Sequence, residues 1–277
     1  MTVLVNPFIE LQKTGRSIWY DGLCRRLLTS GWLKNALNEY AVTGAVFNPD
    51  VFEKTLSGGA EYDHEIAWLL RKPSAPASSA LDSILIEDAL LASDALMDVY
   101  ESNKGKDGYV SIDVFGPLSN AGAIIRKAKV FIAAINRPNV MLRIPASVAG
   151  IRAGEALASK GAAVYLTNIH TVERLNGALT ALANGLRKRP VTPAAGFPRL
   201  CVAGFCLNRI EAEVDSLIDE RAGKEPSEDR KARLLALKGR SGLACARLAY
   251  ETYREINASG HYPLTLILEG ASQTDFM

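Results

Sequence analysis

Seven short, apolar, β-rich runs recur along the chain, at 18–21, 42–48, 110–115, 140–145, 163–168, 200–206 and 264–268. Most of the stretches between them carry helical periodicity. Strands separated by amphipathic helices are the pattern of parallel strands joined by crossover helices. No Gly-x-Gly-x-x-Gly turn follows any of the runs, which argues against an open dinucleotide-binding sheet. A TIM (β/α)8-type barrel is therefore expected. At 277 residues the whole chain, 1–277, fits one such domain, since barrels of about 250 residues are common. After the seventh run only 269–277 remain, too few for a further strand and helix. The barrel is expected to be incomplete there, with the seam left open or covered by a displaced terminal segment, a second copy in a homodimer, or a partner subunit.

The intervening segments are signalled unevenly. Over 82–100, Leu81, Ile84, Leu85, Ala89, Ala92, Leu96 and Val99 line one stripe with the acidic residues mostly opposite, predicting one amphipathic helix. Segments 149–160, 171–187 and 228–256 behave similarly, with Gly239 and Gly242 predicting a break or kink in the last. Residues 72–79 and 190–198, rich in Pro, Ala and Ser or Thr, read as connectors.

Composition narrows the function. With 48% hydrophobic and 22% charged residues the chain is a core-forming one. Its 32 basic and 30 acidic residues leave no electrostatic footprint for nucleic acid. No apolar stretch approaches the ~20 residues of a membrane span, and the first ten residues lack a signal-peptide pattern. A cytoplasmic location follows as an expectation. Cys24, Cys201, Cys206 and Cys245 form no Cys-x-x-Cys pair and have only His64, His170 and His261 to join them. Neither a metal site, a disulfide framework nor a cofactor is expected, and the cysteines read as buried small hydrophobes.

Polar residues collect at the carboxyl ends of the runs, where barrel chemistry is placed: Asp21, Asn48, Asp113, Arg143, Thr167 and, just past the sixth, Arg209. Together they would suit a small anionic, polyhydroxylated molecule. The competing reading is that Arg143 neutralises Asp21 and Asp113 inside the barrel. His170 follows the fifth run and reads as a surface or capping residue.

The runs Ser17-Ile18-Trp19-Tyr20-Asp21, Gly44-Ala45-Val46-Phe47-Asn48-Pro49-Asp50-Val51-Phe52-Glu53-Lys54, Val110-Ser111-Ile112-Asp113-Val114 and Arg137-Pro138-Asn139-Val140-Met141-Leu142-Arg143-Ile144-Pro145-Ala146 resemble the bacterial transaldolase family in order and spacing, from about Asn6 to Ile256. The resemblance implies a class I aldolase barrel. A fourth-strand lysine there forms a Schiff base with a ketose phosphate and passes a three-carbon dihydroxyacetone unit to an aldose phosphate.

The family motif reads Met-Ile-Lys-Ile-Pro-Ala, and this chain has Arg143 at the lysine position. A guanidinium stays protonated and has no free lone pair, so it cannot form a carbinolamine. No other predicted strand carries a lysine: Lys127 and Lys129 precede the fourth run in a helix, and Lys160 lies at the wrong end of the fifth.

By the same resemblance Asp21 is a proton-transfer residue. Asp113 replaces a glutamate that works through water, withdrawing the carboxylate by roughly 1.5 Å. Thr167 and Asn48 match family positions, whereas Tyr165 replaces an asparagine and Phe47 a serine, which implies a smaller and more apolar pocket. Arg209 resembles a phosphate-binding arginine, its alternative being an exposed residue at a helix start. Glu269 stands where a cation is expected and would repel phosphate. The resulting expectation is redirected aldolase, lyase or isomerase chemistry. The alternative is a non-catalytic homologue that binds a metabolite or a protein partner.

Overall fold

The computed structural model describes residues 6–71, 77–114, 120–189, 199–260 and 262–270. Among them are strands β1 (Ile18–Asp21), β2 (Val42–Val46), β3 (Val110–Asp113), β4 (Val140–Pro145), β5 (Ala163–Ile169), β6 (Cys201–Cys206) and β7 (Leu264–Glu269). Strand order follows chain order, and the described pairings are parallel. The described residues fall into two compact units, one made of those within 1–143 together with 161–163 and 199–200, the other of those within 144–160, 164–189 and 201–270, so the boundary falls within β4.

The first unit carries α1 (Pro7–Lys13), α2 (Arg25–Thr29), α3 (Trp32–Glu39), α4 (Pro49–Gly58), α5 (Asp63–Leu70), α6 (Ala77–Ala95), α7 (Met97–Ser102) and α8 (Ala121–Ile135). Helix α8 shows how the sequence sets such elements. The Asn120 side chain caps it by accepting the Ala123 N–H, Asn136 ends it in the left-handed region at φ 45°, and Ile124, Ala128, Phe131 and Ile135 form its buried stripe. Each large side chain in that stripe contributes about 1.5–3 kcal/mol of burial. In the second unit lie α9 (Val148–Ser159), α10 (Val172–Lys188), α11 (Leu207–Lys224), α12 (Glu228–Leu235) and α13 (Ser241–Ala258). Helices α9 and α10 approach closely because Gly185 has no side chain: a Cβ there would stand 2.5 Å from the Glu155 carbonyl oxygen.

Several boundaries depart from the sequence reading. Strand β2 stops at Val46 because Asn48 turns out of the sheet to cap α4, with Pro49 at its first position. The last strand extends one residue further than expected, to Glu269. Residues 77–79, expected as connector, are the first turn of α6, while 72–76, Phe115 and the loop 190–198 lie outside the described residues. The single helix expected over 82–100 breaks at Leu96 into α6 and α7. The segment 228–256 divides into α12 and α13 as Gly239, at φ 70°, foreshadows.

The acidic side of α6 is not wholly solvated either. Asp88 is fully buried, and the Arg25 Nε donates to its Oδ1 while the Tyr62 hydroxyl donates to Oδ2 at 2.6 Å. Arg25 Nη2 also reaches Glu65 at 3.1 Å and Glu87 at 3.3 Å. Its guanidinium lies 5.1 Å from the Tyr62 ring centroid. One cation thus joins α2, α5 and α6. Desolvation is the leading cause that holds Asp88 above the ordinary carboxylate range. No helix among the described residues is long and apolar enough to cross a membrane.

Candidate functional site

In the first unit, parallel pairing of β3 with β4 places Asp113 in register with Arg143. Both side chains are largely buried, and Arg143 Nη1 donates to Asp113 Oδ2 at 3.5 Å. The Val114 N–H donates to the Arg143 carbonyl at 3.0 Å, continuing the ladder past Asp113. Two residues earlier on the same face, Ser111 is fully buried, in register with Met141.

Asp21, the last residue of β1, is exposed. Its Oδ2 accepts from the Asn48 amide at 3.3 Å, while the Asn48 Oδ1 accepts the Asp50 N–H at 2.9 Å. The residue that starts α4 therefore also orients Asp21. Arg143 meets Asp113, and the partner described for Asp21 is the Asn48 amide. Phe47 is buried and contributes no polar group.

A second group, in the second unit, centres on Glu269. Its Oε1 accepts from the Tyr165 hydroxyl at 2.5 Å and from Thr167 Oγ1 at 2.8 Å, and its Oε2 accepts from Cys206 Sγ at 2.7 Å. Tyr165 and Thr167 alternate by two on β5 and so share a face. Gly204 makes the room: a Cβ at that position would stand 2.5 Å from Tyr165 Cε2 and would also collide with the Glu269 carboxylate. Burial first, and the adjacent Glu269 charge second, push the Cys206 thiol up to about 12.

Sequence reasoning selected Tyr165 and Thr167 but not Glu269 or Cys206 as members of a site. The available signal was positional, because Glu269 ends β7 as Asp113 ends β3. Arg209 lies in the first turn of α11, exposed, its N–H donating to the Asn208 Oδ1 at 2.8 Å. His170 is exposed immediately after β5. No group of three or more His, Cys, Asp or Glu side chains among the described residues is arranged to hold a metal ion.

The thiols give a test of this packing. Burial also raises Cys201 to about 12, whereas Cys245 is only half-buried. A thiol of that pKa is thiolate to about one part in 10⁴ at pH 8. Iodoacetamide at pH 8, read by peptide mass spectrometry, is expected to label Cys245 well before Cys206 or Cys201. Equal rates at Cys206 and Cys245 would mean that the Glu269 group is open to solvent.

Residues 18–277 match the family model described as Transaldolase/Fructose-6-phosphate aldolase. The chain belongs to the transaldolase family. Among its relatives, the protein named Transaldolase from Trichodesmium erythraeum (strain IMS101) is 34% identical over 272 residues, covering 98% of this chain and 71% of that protein. Transaldolase 2 of Nostoc sp. (strain PCC 7120 / SAG 25.82 / UTEX 2576) is 32% identical over 260 residues, 93% of this chain and 68% of its own length. The Transaldolase of Mycobacterium tuberculosis (strain ATCC 25618 / H37Rv) is 32% identical over 268 residues, 96% and 69%. Seven parallel strands alternating with helices are the TIM-barrel-like α/β class expected for a transaldolase-family chain.

Proposed function

We propose that this transaldolase-family chain acts on a small anionic carbonyl or polyhydroxylated compound without Schiff-base chemistry. The single observation that carries the reading is the identity and place of Arg143. Residue 143 is the position that the family resemblance gives to the nucleophilic lysine. From β4 its guanidinium is largely buried against Asp113 of β3, and none of the seven strands among the described residues contains a lysine.

A guanidinium at that point holds an oxyanion; it cannot capture a ketone covalently. In an aldol-type cleavage Asp21 would take the proton of the substrate hydroxyl. The carbon–carbon bond would break as that oxygen becomes a carbonyl, and the electron pair would pass to the second carbonyl, whose enolate oxygen Arg143 stabilises. Asn48 orients Asp21 for the transfer. The commitment of Tyr165 and Thr167 to Glu269 favours the second reading, a homologue that binds a metabolite without turning it over.

Borohydride reduction with fructose 6-phosphate, followed by intact-mass measurement, is expected to leave the protein mass unchanged. A trapped covalent adduct would overturn the reading. If a thermal-shift screen of sugar phosphates and keto acids finds a ligand, Arg143→Ala is expected to abolish binding. Asp21→Ala is then expected to retain binding, and turnover lost in that variant separates an enzyme from a binding module.

A further inference from the structure

We infer that a proton on Glu65 latches α5 against α2 and α6, and that this latch steadies the segments carrying Asp21 and Asn48. Three carboxylates meet the Arg25 guanidinium. Asp88 of α6 takes Nε and is also held by the Tyr62 hydroxyl. Glu65 of α5 and Glu87 of α6 share Nη2, at 3.1 and 3.3 Å. One positive charge thus faces three acidic groups, and the two glutamates that share a nitrogen stand close enough to repel. Protonating one of them removes the repulsion and gives the other a donor. Glu65 is the one withdrawn from water, with its side chain 20% exposed against 54% for Glu87. Burial first, and hydrogen bonding to Glu87 second, hold the Glu65 carboxyl above the ordinary carboxylate range.

The charged groups on the surrounding elements are turned elsewhere. Arg26 of α2 reaches Glu61 at 3.7 Å, Lys127 of α8 pairs with Asp82, and Asp113 of β3 meets Arg143. Asp63 and His64 of α5, Lys34 of α3, Glu53 and Lys54 of α4, and Asp98 and Glu101 of α7 are exposed. Tyr62, which directly precedes α5, carries the latch to the candidate site. Its hydroxyl accepts the Arg25 N–H at 3.1 Å, where α2 begins just past Asp21. Its ring meets Phe52 of α4 edge-on, with 5.9 Å between centroids, and Asn48 both caps α4 and donates to Asp21. Release of α5 therefore loosens both supports at once. The latch does not depend on the chemistry assigned to Arg143.

The sign follows from linkage. A carboxyl with a raised folded pKa holds its proton more tightly in the latched form than in the released one. The latch is therefore complete below the unfolded value of about 4, weakens as pH rises through the folded value, and is weakest above it. Hydrogen exchange read by peptide mass spectrometry at pH 5.5 and pH 8, with exposure times scaled to the intrinsic rates, tests this on the intact protein. Opening of α5 in wild type is expected to be favoured at pH 8 over pH 5.5, by a ratio about twofold to fivefold larger than in Glu65→Gln. Glutamine accepts from Arg25 and donates to Glu87 as the protonated acid does, so it keeps the latch closed at both pH values.

Peptides covering α2 and the start of α4 should follow α5, while α8 stays unchanged as the internal reference. An undiminished pH dependence in Glu65→Gln would assign the proton to Asp88 and overturn the inference. An equal change in α8 would mean global rather than local opening, and a change in α5 that α2 does not share would break the link to Asp21. Where Glu65→Gln does not accumulate in folded form, Glu87→Gln, at an exposed position, reads the same point: removing the like charge should flatten the pH dependence, and an unaltered dependence would overturn the shared proton.

Discussion

Replacing Arg25 by methionine is expected to cost the fold about 3–5 kcal/mol near neutral pH, the range for removing one partner of a buried ion pair. Methionine keeps much of the volume over the Tyr62 ring but leaves Asp88 buried with the Tyr62 hydroxyl as its remaining described donor. Glu65 and Glu87 lose their shared cation as well. The deficit should depend on pH with a definite sign. Asp88 is already held above the ordinary carboxylate range, chiefly by desolvation, and losing the guanidinium raises it further. A carboxyl with a raised folded pKa binds its proton more tightly in the native state than in the unfolded one. Its penalty is therefore absent below the unfolded pKa of about 4, grows as pH rises through the folded value, and is complete above it. Urea unfolding at pH 7.5 and pH 4.5 is expected to show a loss that shrinks at the lower pH. An equal loss at both values would mean that the buried carboxylate is not the cause.

That network also shows where sequence stops being legible. The stripe of Ile84, Leu85, Ala89 and Ala92 is visible as a 3.6-residue period, and all four are buried. Asp88 falls next to the stripe and looks like one more solvated acid, because its partner is 63 positions away and periodicity carries no information at that range. The strands were readable for the opposite reason. Each is a short apolar run, so five of the seven agree with expectation at their first residue to within one position and at their last to within one. The two others, β2 and β3, were drawn too long: one is ended by an asparagine that caps the next helix, the other runs out at Asp113.

The candidate site divides in the same way. Asp113 and Arg143 were legible together because both fall toward the carboxyl ends of their apolar runs, and the parallel pairing of β3 with β4 sets them opposite each other. Glu269 was legible only as a charge in the wrong place. Nothing local announces that Tyr165 and Thr167, 104 and 102 positions away, would turn their hydroxyls to it, or that Gly204 must lack a side chain for them to do so. The glycine was visible in the sequence, but its function depends on a neighbour in β7 that pairs with β6.

Gly108→Ala is expected to have the second large effect, and to transmit it to Asp113. Gly108 stands at φ 82° two residues before β3, a region that costs an L-residue about 1–2 kcal/mol. Space is short as well. An added Cβ would lie 2.5 Å from the Tyr100 Cα and against its backbone nitrogen, and relieving such overpacking costs about 1–3 kcal/mol more. The peptide cannot simply move aside, because the Gly108 N–H donates to the Thr43 carbonyl at 2.9 Å and its carbonyl accepts from the buried Asn139 amide at 3.0 Å. The same Asn139 amide also donates to the Ser93 carbonyl at 2.8 Å. Three segments of the first unit therefore meet at this residue, and displacing it shifts the entry of β3 and, with it, the registration of Asp113 on Arg143. Gly15→Ala isolates the conformational part, since Gly15 has φ 81° with nothing within 4 Å of the added atom. Denaturant unfolding is expected to show a total loss of about 2–5 kcal/mol for Gly108→Ala and about 1–2 kcal/mol for Gly15→Ala. Any ligand whose binding depends on Arg143 should be weakened in the first variant alone. Equal losses in the two variants would show that the contact with Tyr100 relaxes freely, and the chain from Gly108 to Asp113 would be broken.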